Sequence, residues 1–278
     1  MEKSFEKNTF GKRLKSMLAV DFRRAFTSPY LYIILGISFL IPILILVMVT
    51  MMEGMESVNP QTNEVTVMQG FDHVWQIIGS VGGGMGATSG EAGGASAAGG
   101  MELTAMCNIN LLYFGMAAFI CIFISEDFRS GYAKNLFTVR ARKSDYVLSK
   151  TVLGFVAAIG MLLAFFIGTL LGGVLANLPF TMDGFSLLNL VYCLLGKLFL
   201  SLVFVALYVL MSVIAKQKAW LSVLLSLGSG MLLFTMAPMI TPLDSSLLMP
   251  ILCLAGGTLF AVGLGAISNL VLKKSALI

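Results

Sequence analysis

The chain has 278 residues and a formal net charge of +4, yet only 12% of its residues are charged and 58% are hydrophobic. Soluble domains contain about 25% charged residues, so this composition excludes an ordinary soluble globular protein. The excess of basic residues is accounted for by the membrane topology that the sequence predicts, and no nucleic-acid partner is indicated.

The first predicted element is an amphipathic helix that precedes the apolar part of the chain. Its apolar side chains recur at four-residue spacing, at Leu14, Leu18, Phe22 and Phe26, and basic residues including Arg23 and Arg24 fall largely on other faces. Such a helix suits a position flat on the inner leaflet, where each Lys or Arg near anionic lipid contributes about 1 kcal/mol. The alternative is a disordered basic tail.

Six apolar stretches follow, and each is long enough to cross a bilayer, which takes about 20 apolar residues. They cover residues 30–52, 106–125, 151–175, 187–215, 219–240 and 248–272. Because lipid offers the backbone no hydrogen-bond partners, stretches of this length and apolarity must be helical. We therefore expect an all-α polytopic membrane protein with six transmembrane helices, in which residues 1–29 form a cytoplasmic N-terminal region and residues 30–278 form the transmembrane domain.

Positive charge is sorted to one side of these stretches. Of the 18 Lys and Arg residues, every one but Lys197 lies in the N-terminal 28 residues, in 126–150, at Lys216 and Lys218, or at Lys273 and Lys274. By the positive-inside rule this side is the cytoplasm. We expect a multi-pass protein of the plasma membrane with both termini cytoplasmic, in which residues 53–105, 177–186 and 241–247 face outward.

The outward segment 53–105 contains six acidic residues and no Lys or Arg, which predicts an acidic outer loop. Within it, residues 79–100 are almost entirely Gly, Ala, Ser and Thr. This composition buries too little side chain to offset the entropy of ordering, so we expect a mobile linker. A small-residue helix packed within the membrane is the alternative.

Lys197 is the one basic residue that lies inside an apolar stretch. A charge at mid-bilayer costs between about 3 and over 10 kcal/mol, depending on the scale. We predict that the spanning part of this stretch is about 195–215, so that Lys197 lies near the outer interface and extends its ammonium group to lipid headgroups. Residues 186–194 would then form an outer interfacial helix or a half-inserted segment.

The connection between the second and third stretches carries the most specific pattern. Two carboxylates and an aromatic residue close one helix, a glycine allows a turn, and a short helix around Tyr132–Val139 leads into a basic turn. The pattern consists of Glu126, Asp127, Phe128, Arg129, Gly131, Lys134, Asn135, Leu136, Arg142, Tyr146, Ser149 and Lys150. It resembles the first cytoplasmic loop of ATP-binding-cassette (ABC) exporter permeases of the second type. Tyr132 replaces the usual small hydroxyl residue, and Lys143-Ser144 inverts the usual order.

The resemblance implies that the short helix docks in a cleft of a nucleotide-binding subunit and transmits the closure of that subunit to the spans. The implied coupling residues are Glu126, Asp127, Arg129, Gly131, Tyr132, Leu136, Phe137 and Arg142, with Leu136 and Phe137 as apolar anchors. Glu126 and Asp127 are expected to pair with Arg23 or Arg24, or with the partner subunit.

As a whole, the resemblance implies a permease subunit without catalytic activity or a cofactor of its own. ATP and Mg²⁺ would be bound by separate ABC ATPase subunits, and a second permease copy or a paralogue would complete the path through the lipid membrane. The expected activity is outward movement of an amphiphilic substrate such as a peptide or a drug-like molecule.

Two other classes of function stay open at this point. An intramembrane enzyme would need clustered ligands or an activated nucleophile, whereas His73 lies in the outer loop and Ser229 has no base nearby in the sequence. A secondary transporter would need buried ionisable residues at mid-membrane, of which Lys197 is the one candidate.

Overall fold

The computed structural model describes residues 10–58, 65–67, 70–79, 108–139 and 142–274. The long elements in these ranges are the helices α1 (Phe10–Thr27), α2 (Pro29–Met52), α3 (Leu112–Arg129), α4 (Tyr132–Val139), α5 (Lys143–Leu175), α6 (Leu187–Ala215), α7 (Ala219–Ile240) and α8 (Leu248–Lys274). The helical class predicted from the sequence is confirmed. The short elements are an antiparallel strand pair, β1 (Glu56–Val58) with β2 (Val65–Val67), and two 3₁₀ turns, Val74–Ile77 and Ile109–Leu111.

The strand pair was not predicted, because its strands are only three residues long and lie in a loop that is polar by composition. The proposed Gly-rich linker lies almost entirely outside the described residues, which stop at Gly79 and resume at Asn108.

The long helices coincide with the predicted apolar stretches. Five segments are long and apolar enough to cross a bilayer, namely α2, α5, α6, α8 and the segment Ile109–Arg129 that contains α3. Helix α7 has 22 residues, and its apolar part among the described side chains is the shorter segment Ala219–Met231. The chain therefore has the architecture of a multi-pass membrane protein.

Connections between the helices collect at two ends of the bundle. We call one the basic end; it contains α1, α4, the α6–α7 turn and the last residues of α8. There the Lys143 ammonium group donates to the carbonyl oxygen of Leu272 at 2.6 Å, which joins the start of α5 to the end of α8. At the opposite end, which we call the far end, the backbone N–H of Val74 donates to the carbonyl oxygen of Pro179 at 3.2 Å.

Helices α3 and α6 form the centre of the bundle, whereas α2 and α8 lie at its edge. Two thirds of the apolar windows of α3 and α6 are buried (67%), compared with 17% for α2 and α8. An aromatic stack supports the centre, where the rings of Tyr113 and Phe204 are 4.2 Å apart. The exposed apolar surfaces of α2 and α8 are what lipid tails would cover in a membrane.

Helix α5 approaches α2 closely through two glycines spaced four residues apart. A Cβ atom added to Gly168 would overlap the carbonyl oxygen of Phe39, and one added to Gly172 would lie 2.9 Å from the Cα atom of Ile43. Spacing of this kind lets helix backbones approach within membranes, where packing replaces the hydrophobic effect as the force between helices. Pro42 lies inside α2 at the same contact.

Small polar side chains join α7 to the two central helices. The sulfur of Cys121 in α3 lies 3.1 Å from the Ser226 hydroxyl of α7 and accepts from the Ser212 hydroxyl of α6 at 3.4 Å. Ser222 in α7 donates to Ser212 at 2.9 Å. All four residues are buried, and buried hydroxyl contacts of this kind hold helices together where the surroundings are apolar.

The structure overturns the prediction for Lys197. Helix α6 is continuous from Leu187 to Ala215, so it contains no separate outer segment, and Lys197 is only 2% exposed. Its ammonium group donates to Thr241 Oγ1 at 2.9 Å and to Asn110 Oδ1 at 3.3 Å. The prediction was wrong because an apolar stretch does not reveal which side of a helix turns inward.

Candidate functional site

The end of α3 brings together the acidic and basic residues of the predicted coupling region. Asp127 lies in the last turn of α3 and is fully buried. One carboxylate oxygen accepts from Arg24 Nη1 at 2.6 Å, so the expected pairing with the N-terminal helix is present. The other accepts from the Tyr146 hydroxyl at 3.0 Å and lies 2.7 Å from Lys150 Nζ.

A second carboxylate holds Lys150 from the side of α1. Lys150 is 2% exposed, and its ammonium group donates to Asp21 Oδ1 at 2.7 Å. The Ser149 hydroxyl donates to the other oxygen of Asp21 at 2.6 Å. We call Asp21, Arg24, Asp127 and Lys150 the charged junction. Its two cations and two carboxylates balance, which is the condition under which buried charges can be tolerated.

The position of Asp21 reveals how α1 packs. The buried face of α1 carries Met17, Asp21 and Ala25, each four residues from the next, and it contacts α5. The predicted apolar stripe is therefore turned partly away from the bundle. Leu14, Leu18 and Phe22 are half-buried, Phe26 is exposed, and the basic residue Arg23 is exposed as well.

Helix α4 contacts the charged junction through aromatic rings. The Arg24 guanidinium carbon lies 4.2 Å from the centre of the Tyr132 ring, a cation–π contact. Near the other end of α4, the Phe137 ring meets the Tyr146 ring edge-on, with centres 5.3 Å apart. The chain enters α4 through Gly131, whose φ of +74° is a conformation that glycine adopts without strain.

Helix α4 has an inner face, which carries two predicted coupling residues, and an exposed face. Leu136 and Phe137 are half-buried against the protein's own core, whereas Lys134, Asn135 and Thr138 are exposed. The face of α4 that is open to a partner is thus mainly polar. Whether any of these residues binds an ATPase stays a prediction.

The adjacent acids Glu126 and Asp127 point in different directions. Successive residues of an α-helix are turned by about 100°, so Asp127 enters the junction while Glu126 is exposed. Arg129 and Arg142 are also exposed and do not take part in the junction. The structure thus gathers Asp127 and Tyr132 around Arg24 and Lys150, packs Phe137 on Tyr146, and leaves the other predicted charges at the surface.

Burial and charge act together on the groups outside the spans. Burial by itself would lower the pKa of Arg24, but the carboxylate of Asp127 outweighs this effect, so the pKa is raised and the guanidinium stays charged. Burial raises the pKa of the Tyr132 hydroxyl, and the nearby carboxylate of Asp21 adds to the effect. Arg24 therefore carries a fixed positive charge beside Asp127, which joins α1 to α3.

Sequence reasoning missed Asp21. A signal was available, because Asp21 is an acidic residue within an otherwise basic helix and lies midway between the apolar residues Met17 and Ala25. Lys150 was noted as part of the loop pattern, but its contact with two carboxylates was not expected.

Together, the helical bundle and the short helix held at its basic end define a multi-pass membrane protein with a compact element against the ends of its spans. Residues 81–232 match the family model described as "ABC-2 family transporter protein". Because the match covers more than half of the chain, the chain belongs to the ABC-2 family, whose membrane components normally work with ABC ATPase subunits. The matched region contains α3, α4 and the connection between them. No curated protein and no solved structure matches the chain.

Proposed function

We propose that this chain is the transmembrane subunit of an ATP-driven exporter that moves an amphiphilic substrate, such as a peptide or a drug-like molecule, out of the cell. Separate ATPase subunits would bind ATP and Mg²⁺, and a second copy of the chain or a paralogous permease would complete the path. The observation that carries this proposal is the charged junction, because it connects the short helix α4 to α1, α3 and α5.

The junction suits the transmission of force. Separating one partner from a buried ion pair costs about 3–5 kcal/mol, so the ends of α1, α3 and α5 should move as one body when α4 is displaced. The exposed face of α4, with Lys134, Asn135 and Thr138, is the surface that an ATPase would contact. Tyr132 and Phe137, on the inner side of α4, would pass the displacement to Arg24 and Tyr146.

The same proposal includes the topology. We place the basic end in the cytoplasm, because the positive-inside rule predicts that side for Lys- and Arg-rich connections. Helix α7 is included as a sixth span, since it is continuous over 22 residues and is joined to α3 and α6 by buried hydroxyl and thiol contacts. The protein would lie in the plasma membrane with both termini inside.

The coupling proposal is tested by purifying the chain with the ABC ATPase that copurifies with it. Lys134→Glu reverses a charge on the exposed face of α4 and should abolish copurification and the stimulation of ATP hydrolysis. The matched control is Lys218→Glu, which reverses an exposed charge in a different connection of the basic end and should keep both. Normal coupling in the Lys134→Glu variant would refute the docking role of α4.

The topology is tested with single cysteines in a background that lacks the native ones. Ser130 and Ser246 are both exposed but lie at opposite ends of the bundle. An impermeant thiol reagent applied to intact cells should label the Ser246→Cys variant and leave the Ser130→Cys variant unlabelled until the cells are opened. The reverse pattern would place the basic end outside.

A further inference from the structure

A groove of about 300 Å³ lies at the basic end, between the α1–α2 turn and one face of α3. It is lined by Arg24, Thr27, Ser28, Pro29, Tyr30, Phe119, Phe123, Glu126 and Ser130. The groove is adjacent to the charged junction. Arg24 is the one residue that belongs to both.

The polarity of the groove changes along the α3 wall. Phe119, Phe123, Glu126 and Ser130 are spaced by four, three and four residues, so they lie on one face of the helix. They span about 16 Å along the helix axis, from aromatic rings within the bundle to a carboxylate and a hydroxyl at the basic end. A phospholipid at the membrane surface has the same order of groups, from acyl chains to headgroup.

The charges of the groove discriminate between headgroups. Arg24 lines the groove, but its charge is already offset by Asp127 within the balanced junction. Glu126 is exposed and forms no ion pair with another described residue. A purely anionic headgroup would therefore meet the unpaired carboxylate of Glu126. A headgroup with both a phosphate and an ammonium group can place the phosphate at Arg24 and the ammonium group at Glu126.

Hydrogen-bond donors for a phosphate group are present on the opposite wall. Arg24 has five N–H donors, of which Nη1 binds Asp127, so others are left for a ligand. The Ser28 side chain precedes α2 without making a capping hydrogen bond to the helix. Arginine and a hydroxyl group are common phosphate partners.

We propose that this groove binds the headgroup of a phospholipid that carries a primary amine, of the phosphatidylethanolamine type. The phosphate group contacts Arg24 and Ser28, and the ammonium group contacts Glu126. The acyl chains continue toward the apolar parts of α2 and α3. The site requires that the basic end lie at the membrane surface, and it does not depend on coupling to an ATPase.

The test uses the full chain, delipidated in detergent, and native mass spectrometry with three lipids of equal short acyl chains. The lipids carry an ethanolamine, a choline or a glycerol headgroup on the phosphate. We expect the ethanolamine lipid to bind roughly fivefold to tenfold more tightly than the other two, because it alone can donate hydrogen bonds to Glu126 without adding net negative charge. Phosphoethanolamine without acyl chains should bind far more weakly, which separates a lipid site from a site for a soluble phosphate ester.

Substitutions of Glu126 and Ser28 test which side chains cause the preference for the ethanolamine lipid. Glu126→Gln should remove most of the preference for the ethanolamine lipid over the glycerol lipid, and Ser28→Ala should weaken binding of all three lipids by about threefold. The matched control is Glu53→Gln, an exposed acid at the far end, which should leave the preference unchanged. The proposal is overturned if the glycerol lipid binds as tightly as the ethanolamine lipid or if Glu126→Gln has no effect. It is also overturned if free phosphoethanolamine binds as well as the lipid.

Discussion

Two lysines in this bundle are buried to the same degree but have opposite surroundings. Lys150 and Lys197 are each 2% exposed. Lys150, at the basic end, contacts the carboxylates of Asp21 and Asp127, and its ammonium group lies 4.6 Å from the centre of the Phe123 ring. Lys197, in α6, has only an amide oxygen and a hydroxyl as side-chain partners among the described residues.

The comparison shows that a buried charge stabilises a protein only through its partners. Without Lys150, Asp21 would lose its ion-pair partner and Asp127 would keep only Arg24, which makes this lysine costly to remove. Among the residues that the structure describes, Lys197 leaves no opposite charge behind when it is removed, and its own desolvation works against the folded state. Lys150 is thus a structural centre of the basic end, whereas Lys197 is a charge that the far end tolerates.

The far-end lysine still joins several elements. Thr241 follows α7, Asn110 precedes α3, and the Tyr113 hydroxyl donates to the carbonyl oxygen of Lys197 at 3.1 Å. The Nδ2 group of Asn110 is buried and has no partner among the described residues. The acceptors of the Lys197 ammonium group are neutral, and no carboxylate among the described side chains pairs with it, so these contacts constrain the far end less than the ion pairs constrain the basic end.

The largest effect is expected from Lys150→Met. This change keeps most of the side-chain volume but leaves Asp21 and Asp127 buried with less compensation, so the free energy of unfolding should fall by about 3–5 kcal/mol. The measurement is a denaturant or thermal unfolding curve of the purified chain in detergent. The double variant Asp21→Asn with Lys150→Met should recover part of the loss, because the Arg24–Asp127 pair is then the main ionic contact left. A single variant as stable as the unchanged chain would contradict the structural role of the junction.

The second prediction compares the effects on stability of substituting the adjacent acids Asp127 and Glu126. Asp127→Asn weakens a charge-assisted bond to Arg24 and an ion pair to Lys150, so we expect a loss of about 2–3 kcal/mol in the same unfolding measurement. Glu126→Gln changes an exposed side chain and should stay within about 0.5 kcal/mol of the unchanged chain. Equal losses in the two variants would mean that α3 is rotated differently from the structure described here.

The extents of the helices could be predicted because length and apolarity are local properties of the sequence. The rotation of a helix about its axis could not be predicted where apolar residues surround it on all sides. Lys197 in α6 shows this, since its burial depends on Asn110 and Thr241, which are distant in the sequence.

The candidate site was predictable in part. The loop pattern included Asp127, Arg24 of the N-terminal helix was one of its expected partners, and the structure pairs them. The pattern could not reveal that Lys150 would bind Asp21, because those residues are 129 positions apart and come together only when α1 packs on α5. The resemblance implied that Phe137 anchors a partner subunit, which stays a prediction; within the chain its ring packs on Tyr146.

A smaller effect is expected from Lys197→Met, which tests the comparison directly. The variant loses hydrogen bonds to Asn110 and Thr241 but no longer has to bury an ammonium group, so the two contributions largely offset each other. We expect the free energy of unfolding to change by less than about 1 kcal/mol in either direction. A loss as large as that of Lys150→Met would show that the neutral partners hold Lys197 as strongly as carboxylates hold Lys150.

The smallest effect is expected at the far end, from His73. Its ring is buried 5.9 Å from the Phe185 ring, and this burial lowers the pKa of His73 below its usual value, although Asp72 and Asp183 act in the opposite direction. Because the unfolded segment then binds a proton at a higher pH than the folded one, this contribution to stability is complete above about pH 6.5 and is lost as the pH falls below that value.

Hydrogen exchange of the 3₁₀ turn Val74–Ile77, corrected for the intrinsic rate, should therefore be faster at pH 5.5 than at pH 7.5. His73→Gln should remove this difference, and α4 at the basic end serves as the internal reference. An equal pH dependence in the variant would assign the effect to another group.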